Sequence, residues 1–92
     1  MMPLSTLIKN WQAQATDAVN KQLDTFKPDW VTRLQVIQAS THRIDLIAMI
    51  EGSAWTVILT PSFHGIHVKV EKGNNPKTQA RLSKDLALRL NN

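Results

Sequence analysis

The sequence predicts an α+β domain built from an N-terminal helix, a four-stranded antiparallel meander and a C-terminal helix. Three observations predict it. Apolar residues recur at helical spacing from Leu4 to Phe26, the period changes to two between Arg33 and Glu71, and helical spacing returns from Pro76 to Leu90. The segments between are short and rich in Gly, Pro, Asn and Ser, which favours hairpins over long crossovers. A chain of 92 residues suits one compact domain spanning 1–92, small enough that folding buries about 60–65% of its extended surface.

Along the first segment, Leu4, Leu7, Ile8, Trp11, Ala15, Ala18, Val19 and Phe26 share a side, with Lys9, Asp17, Lys21 and Asp24 opposite. The pattern predicts one long amphipathic helix. Lys27-Pro28 ends it, because the proline ring disfavours helical geometry at the preceding residue. Trp30 and Val31 then tuck the linker onto the core. All three tryptophans, Trp11, Trp30 and Trp55, adjoin apolar patterns and read as packing residues.

Leu34 to Ala39 forms a less regular first strand. Ile44, Leu46, Ala48 and Ile50 alternate with Asp45, Ile47, Met49 and Glu51; Trp55, Val57 and Leu59 alternate with Thr56, Ile58 and Thr60; Ile66, Val68 and Val70 alternate with His67, Lys69 and Glu71. Turn chemistry falls at Ser40 to Arg43, Gly52-Ser53 and Pro61 to Gly65. Both parities of the middle strands carry large apolar residues, so Ile37, Ile47, Met49 and Ile58 compose a second apolar face. Either the helices cover opposite faces of the sheet, or both pack on one and leave Ile47, Met49 and Ile58 as an interface. Short antiparallel meanders tolerate one open side, which favours the second arrangement.

Gly73-Asn74-Asn75-Pro76 is a helix start, with Asn75 capping free backbone N–H groups and Pro76 at the first helical position. Leu82, Leu86 and Leu90 then form an inward ridge, and Lys77, Arg81 and Lys84 project from the reverse side, with Leu88 among them. The formal net charge is +4 and the sequence pI is about 9.9. The excess is concentrated here. Residues 1–29 carry three Lys against three Asp, residues 30–75 four cations against three anions, and residues 76–92 four cations against Asp85 alone. A basic helix of this kind can steer nucleic acid, anionic lipid or an acidic protein surface, or be simply a solvated face. Lys77 sits where the helix dipole opposes a cation, a placement that favours an anionic ligand.

The chain has no cysteine, hence no disulfide or thiolate metal site, and a reducing cytosol is its natural compartment. Met1 to Leu7 lacks the features of a secretory signal, and the apolar stretch Ile44 to Leu59 is broken by Asp45, Glu51 and Gly52. The expectation is a cytoplasmic protein with no membrane partner. His64 and His67 face opposite ways on an extended strand and His42 lies in another turn, so no metal site is expected. Ser40, Ser53, Ser62 and Ser83 lack nucleophile context, the acidic residues are scattered, and Gly52, Gly65 and Gly73 are isolated. No catalytic residue, cofactor or small-molecule substrate is expected.

The segment Pro76 to Ala87, PKTQARLSKDLA, resembles the second helix of double-stranded RNA-binding domains, with Lys77, Arg81 and Lys84 matching the cationic positions that meet phosphates there. The chain departs from that family by a fourth strand and by lacking its histidine-containing loop between the first strands. In format, a short chain free of cysteines and motifs with a helix, four-strand, helix layout resembles the phage-encoded anti-CRISPR proteins of the type I-F group. Many of those are acidic and imitate DNA, whereas this chain is basic. The resemblance implies a stoichiometric, non-enzymatic inhibitor of a CRISPR surveillance ribonucleoprotein, acting in the host cytoplasm by blocking target access. Lys77, Arg81, Lys84 and Arg89, with Lys69 and Lys72, would then anchor it to guide-RNA phosphates or acidic protein grooves. The alternatives are a stand-alone nucleic-acid binder using the same cations, or an oligomeric structural protein using Ile47, Met49 and Ile58.

Overall fold

A computed structural model describes residues 4–63, 65–71 and 75–91. The elements are α1 (Leu4–Gln12), α2 (Thr16–Phe26), β1 (Arg33–Ala39), β2 (Ile44–Ile50), β3 (Ser53–Ser62), β4 (Gly65–Glu71) and α3 (Pro76–Asn91). The strands pair antiparallel in the order β1-β2-β3-β4, the meander that period-two patterning and short turns predict.

Alternate residues of the sheet point into one core. Leu34, Ile44, Leu46, Ala48, Ile50, Trp55, Val57, Leu59, Ile66, Val68 and Val70 are buried, and they join Leu7, Trp11, Val19, Leu23, Leu82, Leu86 and Leu90 of the helices in a single cluster. The helices therefore lie on one side of the sheet. This decides between the two arrangements that the sequence leaves open: Ile47, Met49 and Ile58 face away from that core and are only partly buried.

The predicted single N-terminal helix is broken in two. Gln14 adopts a left-handed φ of +56°, and its N–H bonds to the carbonyl of Trp11 at 2.9 Å while that of Ala15 reaches Asn10 at 2.9 Å. This pair of bonds is a Schellman ending. The physical reason is length: a rod from Leu4 to Phe26 would run about 34 Å, the full 33 Å of the molecule, whereas β1, β2 and β4 have seven residues each and run about 23 Å. Breaking it lets Leu7 and Trp11 of α1 and Val19 and Leu23 of α2 reach the same core, and Asn10 Nδ2 donates to Gln22 Oε1 across the bend at 3.1 Å. No glycine advertises the break, since Ala13-Gln14-Ala15 are good helix formers. Gln14→Gly is accordingly expected to stabilise the fold by about 1 kcal/mol, the relief of a left-handed non-glycine residue, read as a rise of about 4–8 °C in Tm.

A two-residue turn sets the register of the β2–β3 hairpin. Glu51 (φ +50°) and Gly52 (φ +80°) join β2 to β3, both left-handed as a type I′ turn requires. Pro61, expected in a turn, lies inside β3 instead. Its missing N–H removes no ladder bond to β2, which begins at Ile44 opposite Leu59, before Pro61 is reached. In β1 the register shifts between Val36 and Gln38, leaving Ile37 as an extra residue that is 57% exposed.

α3 starts where Asn75 Oδ1 accepts from the N–H groups of Lys77 (3.0 Å) and Thr78 (3.3 Å). The cap and Pro76 are as the sequence predicts; Gly73 and Asn74 of that start signal lie outside the described residues. Beside the leucine ridge runs a second stripe that closes the outer edge of β4. Gln79 donates to the carbonyl of Val70 at 2.9 Å, Ser83 to that of Val68 at 3.5 Å, and Asn91 both accepts from Ile66 N–H at 2.7 Å and donates to its carbonyl at 2.9 Å. Alternate backbone groups of an edge strand, which would otherwise invite another strand, are thus occupied by side chains.

Candidate functional site

Capping at Asn75 and burial of the leucine ridge fix the rotation of α3, and rotation decides what it exposes. Lys77, Arg81, Lys84 and Leu88, spaced four, three and four residues apart, form one exposed stripe opposite the ridge. Arg89 is exposed beside it. The four cations of the helix are therefore at the surface, but they are not equivalent.

Arg81 has a partner within the chain. Its guanidinium carbon lies 4.2 Å from the centroid of the Trp30 ring, and Trp30 Nε1 donates to Asp85 Oδ2 at 2.8 Å. Two residues one turn apart on α3 thus hold the α2–β1 linker, one by cation–π attraction and the other by a charge-assisted hydrogen bond. Arg89 Nη1 reaches the carbonyl of Phe26 at 3.4 Å, a second tie to the end of α2. The expectation that Arg81 points only outward is corrected by these contacts. Asp85→Ala is expected to lower stability by about 1–2 kcal/mol through loss of the Trp30 acceptor. Thermal melting read beside Asp85→Asn, which retains an acceptor oxygen, checks it.

Lys77 and Lys84 are different. The ion pairs among the described residues are Arg43–Asp45 at 2.8 Å and Lys69–Glu71 at 3.2 Å, and among those residues the ammonium groups of Lys77 and Lys84 have no acceptor. Lys69, predicted with the basic group, sits instead on the open face of β4 beside Glu71. Lys72 lies outside the described residues. The structure therefore lines up Lys77, Arg81 and Lys84 on α3, sets Arg89 on the flank of the same helix that faces the end of α2, and places Lys69 on another surface.

Sequence reasoning missed one exposed residue. Phe63, at the tip of the β3–β4 hairpin, is fully exposed. Asn91 fastens the start of β4 to the end of α3, so Phe63 stands at the same end of the molecule as Leu88, itself 51% exposed. The cue was an aromatic inside a run of turn residues, Pro61-Ser62-Phe63-His64-Gly65. α3 thus presents cations along its length, and at its last turn Leu88 and Arg89 share the end of the molecule where Phe63 stands.

The open face of the sheet is the second uncovered surface. Ile47, Met49 and Ile58 form its centre, bordered by Asp45, Lys69 and Glu71. Arg43 donates to Asp45 through two nitrogens, at 2.8 and 3.1 Å, and that hydrogen bond, followed by the carboxylate charge, pushes the guanidinium pKa above its ordinary value.

No family model, curated protein or solved structure matches the chain. Among the described residues, no three or more His, Asp or Glu side chains come together as a metal-binding group, and no helix is long and apolar enough to cross a membrane. His64, weighed with His67 as a metal pair, lies outside the described residues; His67 is exposed on β4.

Proposed function

We propose that this chain is a non-enzymatic binding protein that docks through α3 on an assembled ribonucleoprotein and blocks access of target nucleic acid. The observation that carries the reading is the exposed stripe of α3, where Lys77 and Lys84 have no acceptor among the described residues and Leu88 follows in the same line. Phosphate contact alone needs cations; an exposed leucine at the end of the stripe, with Phe63 at the same end, suits a surface that is part protein. That mixture favours a ribonucleoprotein over free duplex. The surveillance complexes of CRISPR systems are the class to which the resemblance with type I-F anti-CRISPR inhibitors leads, and no cofactor or small-molecule substrate enters the proposal.

The test mixes the purified chain with an assembled type I-F surveillance complex and, separately, with free duplex RNA and DNA. Stoichiometric co-elution with the complex and loss of its target binding are the expected results, with little affinity for either duplex. Equal affinity for free duplex, falling steeply with added salt because each neutralised phosphate releases a counterion on binding, would instead make the chain a stand-alone nucleic-acid binder. Failure to bind the complex would reject the inhibitor reading.

A further inference from the structure

We infer that the open face of the sheet is a self-association surface, and that two copies of this chain pack face to face through Ile47, Met49 and Ile58. The helices and their cations lie on the other side of the sheet, so this surface is independent of the docking stripe on α3.

The occupant is read from charge. One row of the face runs Gln38–Asp45–Ile58–Lys69 across the four strands. Asp45 and Lys69 therefore flank Ile58 symmetrically, each one strand away, about 4.8 Å to either side. A two-fold axis parallel to β3 and passing over Ile58 sets Asp45 of one copy against the partner's Lys69, and repeats the pair on the other side. An isologous contact requires a self-complementary patch, and an anion and a cation at equal distances from the axis meet that requirement.

The face is also locally neutral in a molecule of net charge +4. Asp45 carries its own counter-ion in Arg43, and Lys69 in Glu71; at the end near the β2–β3 turn, Arg33 is opposite Met49 and Glu51 lies in the turn itself. Two copies can approach through this surface without the repulsion that two α3 stripes would impose. An anionic partner gains nothing from a neutral face, and the paired charges suit a copy of themselves.

Area sets the strength. Four strands about 4.8 Å apart and about seven residues long present roughly 450 Å² of projected surface per copy. Two such faces fall short of the ~1,200–2,000 Å² of stable complexes, so the association is weak and reversible. It closes as a dimer, because each copy has one such face and α3 occupies the outer edge of β4.

Sedimentation equilibrium of the full chain between about 1 μM and about 1 mM tests this directly. The mass is expected to move reversibly from one copy to two. Ile58→Asp should leave the chain monomeric with an unchanged circular dichroism spectrum. Asp45→Lys and Lys69→Asp, at side chains that already meet water, should each weaken the dimer at least about tenfold, and the double variant should recover most of the loss, as a direct charge pair demands. These two variants decide the matter should Ile58→Asp fail to fold. A wild-type chain monomeric throughout, a dimer that survives Ile58→Asp, or a charge-swapped double variant no better than the singles would each overturn the proposal. Lys77→Glu and Lys84→Glu should leave the dimer intact, which separates its failure from that of the docking stripe.

Discussion

Gly65→Ala is expected to destabilise this protein by about 3–4 kcal/mol, the sum of a backbone conformation closed to L-residues and of lost hydrogen bonds. Gly65 has a φ of +121°, outside even the small left-handed region open to alanine. A methyl group there would fall on the side chain of Asn91. That side chain accepts from Ile66 N–H at 2.7 Å and donates to the carbonyls of Ile66 and Ala87 at 2.9 Å each. Displacing it opens the end of α3 together with the start of β4. Thermal denaturation should show a fall in Tm of more than about 12 °C. Asn91→Ala alone removes the hydrogen bonds but leaves the glycine unstrained, so its effect should be about 1–2 kcal/mol. The double variant should cost less than the sum, since the methyl then has space although its φ remains unfavourable. A Gly65→Ala protein melting within a few degrees of the wild type would contradict the close approach of α3 to β4.

Reversing Lys77 and Lys84 to Glu together should weaken docking on the ribonucleoprotein by at least about 100-fold without loss of stability. The pair is chosen because their ammonium groups have no acceptor among the described residues, whereas Arg81 stacks on Trp30. The substitution takes the formal net charge from +4 to 0. At the start of a helix a carboxylate is favoured by the dipole, so Lys77→Glu should hold or slightly raise Tm. A fall in binding with a preserved melting curve is therefore diagnostic of the surface. Arg81→Lys serves as the complementary control: the charge stays while the planar stacking over Trp30 weakens, so stability should drop slightly and binding should hold. Undiminished binding by the Lys77→Glu/Lys84→Glu protein would remove the electrostatic basis of the proposed function.

Patterning made most of the elements legible. The alternation of Ile44 to Ile50 and of Trp55 to Leu59 marks strands with one buried face, and their short connections leave little choice but antiparallel neighbours. Asn75-Pro76 marks the start of α3, and Leu82, Leu86 and Leu90 mark the side it buries. The break at Gln14 was illegible, because nothing local opposes a continuous helix there. Extra backbone strain at one residue is outweighed by the burial of Leu7, Trp11, Val19 and Leu23 that the bend permits. Pro61 misled for the opposite reason. Its local preference for a turn yields because Pro61 lies past the first residue of β2, where its missing N–H removes no ladder bond to that strand.

The candidate surface divides in the same way. That α3 turns its cations outward follows from spacing alone, as helical geometry sets Lys77, Arg81 and Lys84 opposite the leucines wherever the helix docks. Which cations are engaged does not follow. Arg81 meets Trp30, fifty-one residues earlier, Lys69 meets Glu71 on another surface, and Phe63 stands out at the α3 end because Asn91 ties the hairpin there. By itself the sequence determined the order of elements, the inward side of each and the cationic character of the last helix, because these depend on periods of two and 3.6 residues. Only the tertiary structure decided that every helix covers the same side of the sheet, where the first helix bends and which charges remain unengaged, because those outcomes depend on contacts between residues far apart in the chain.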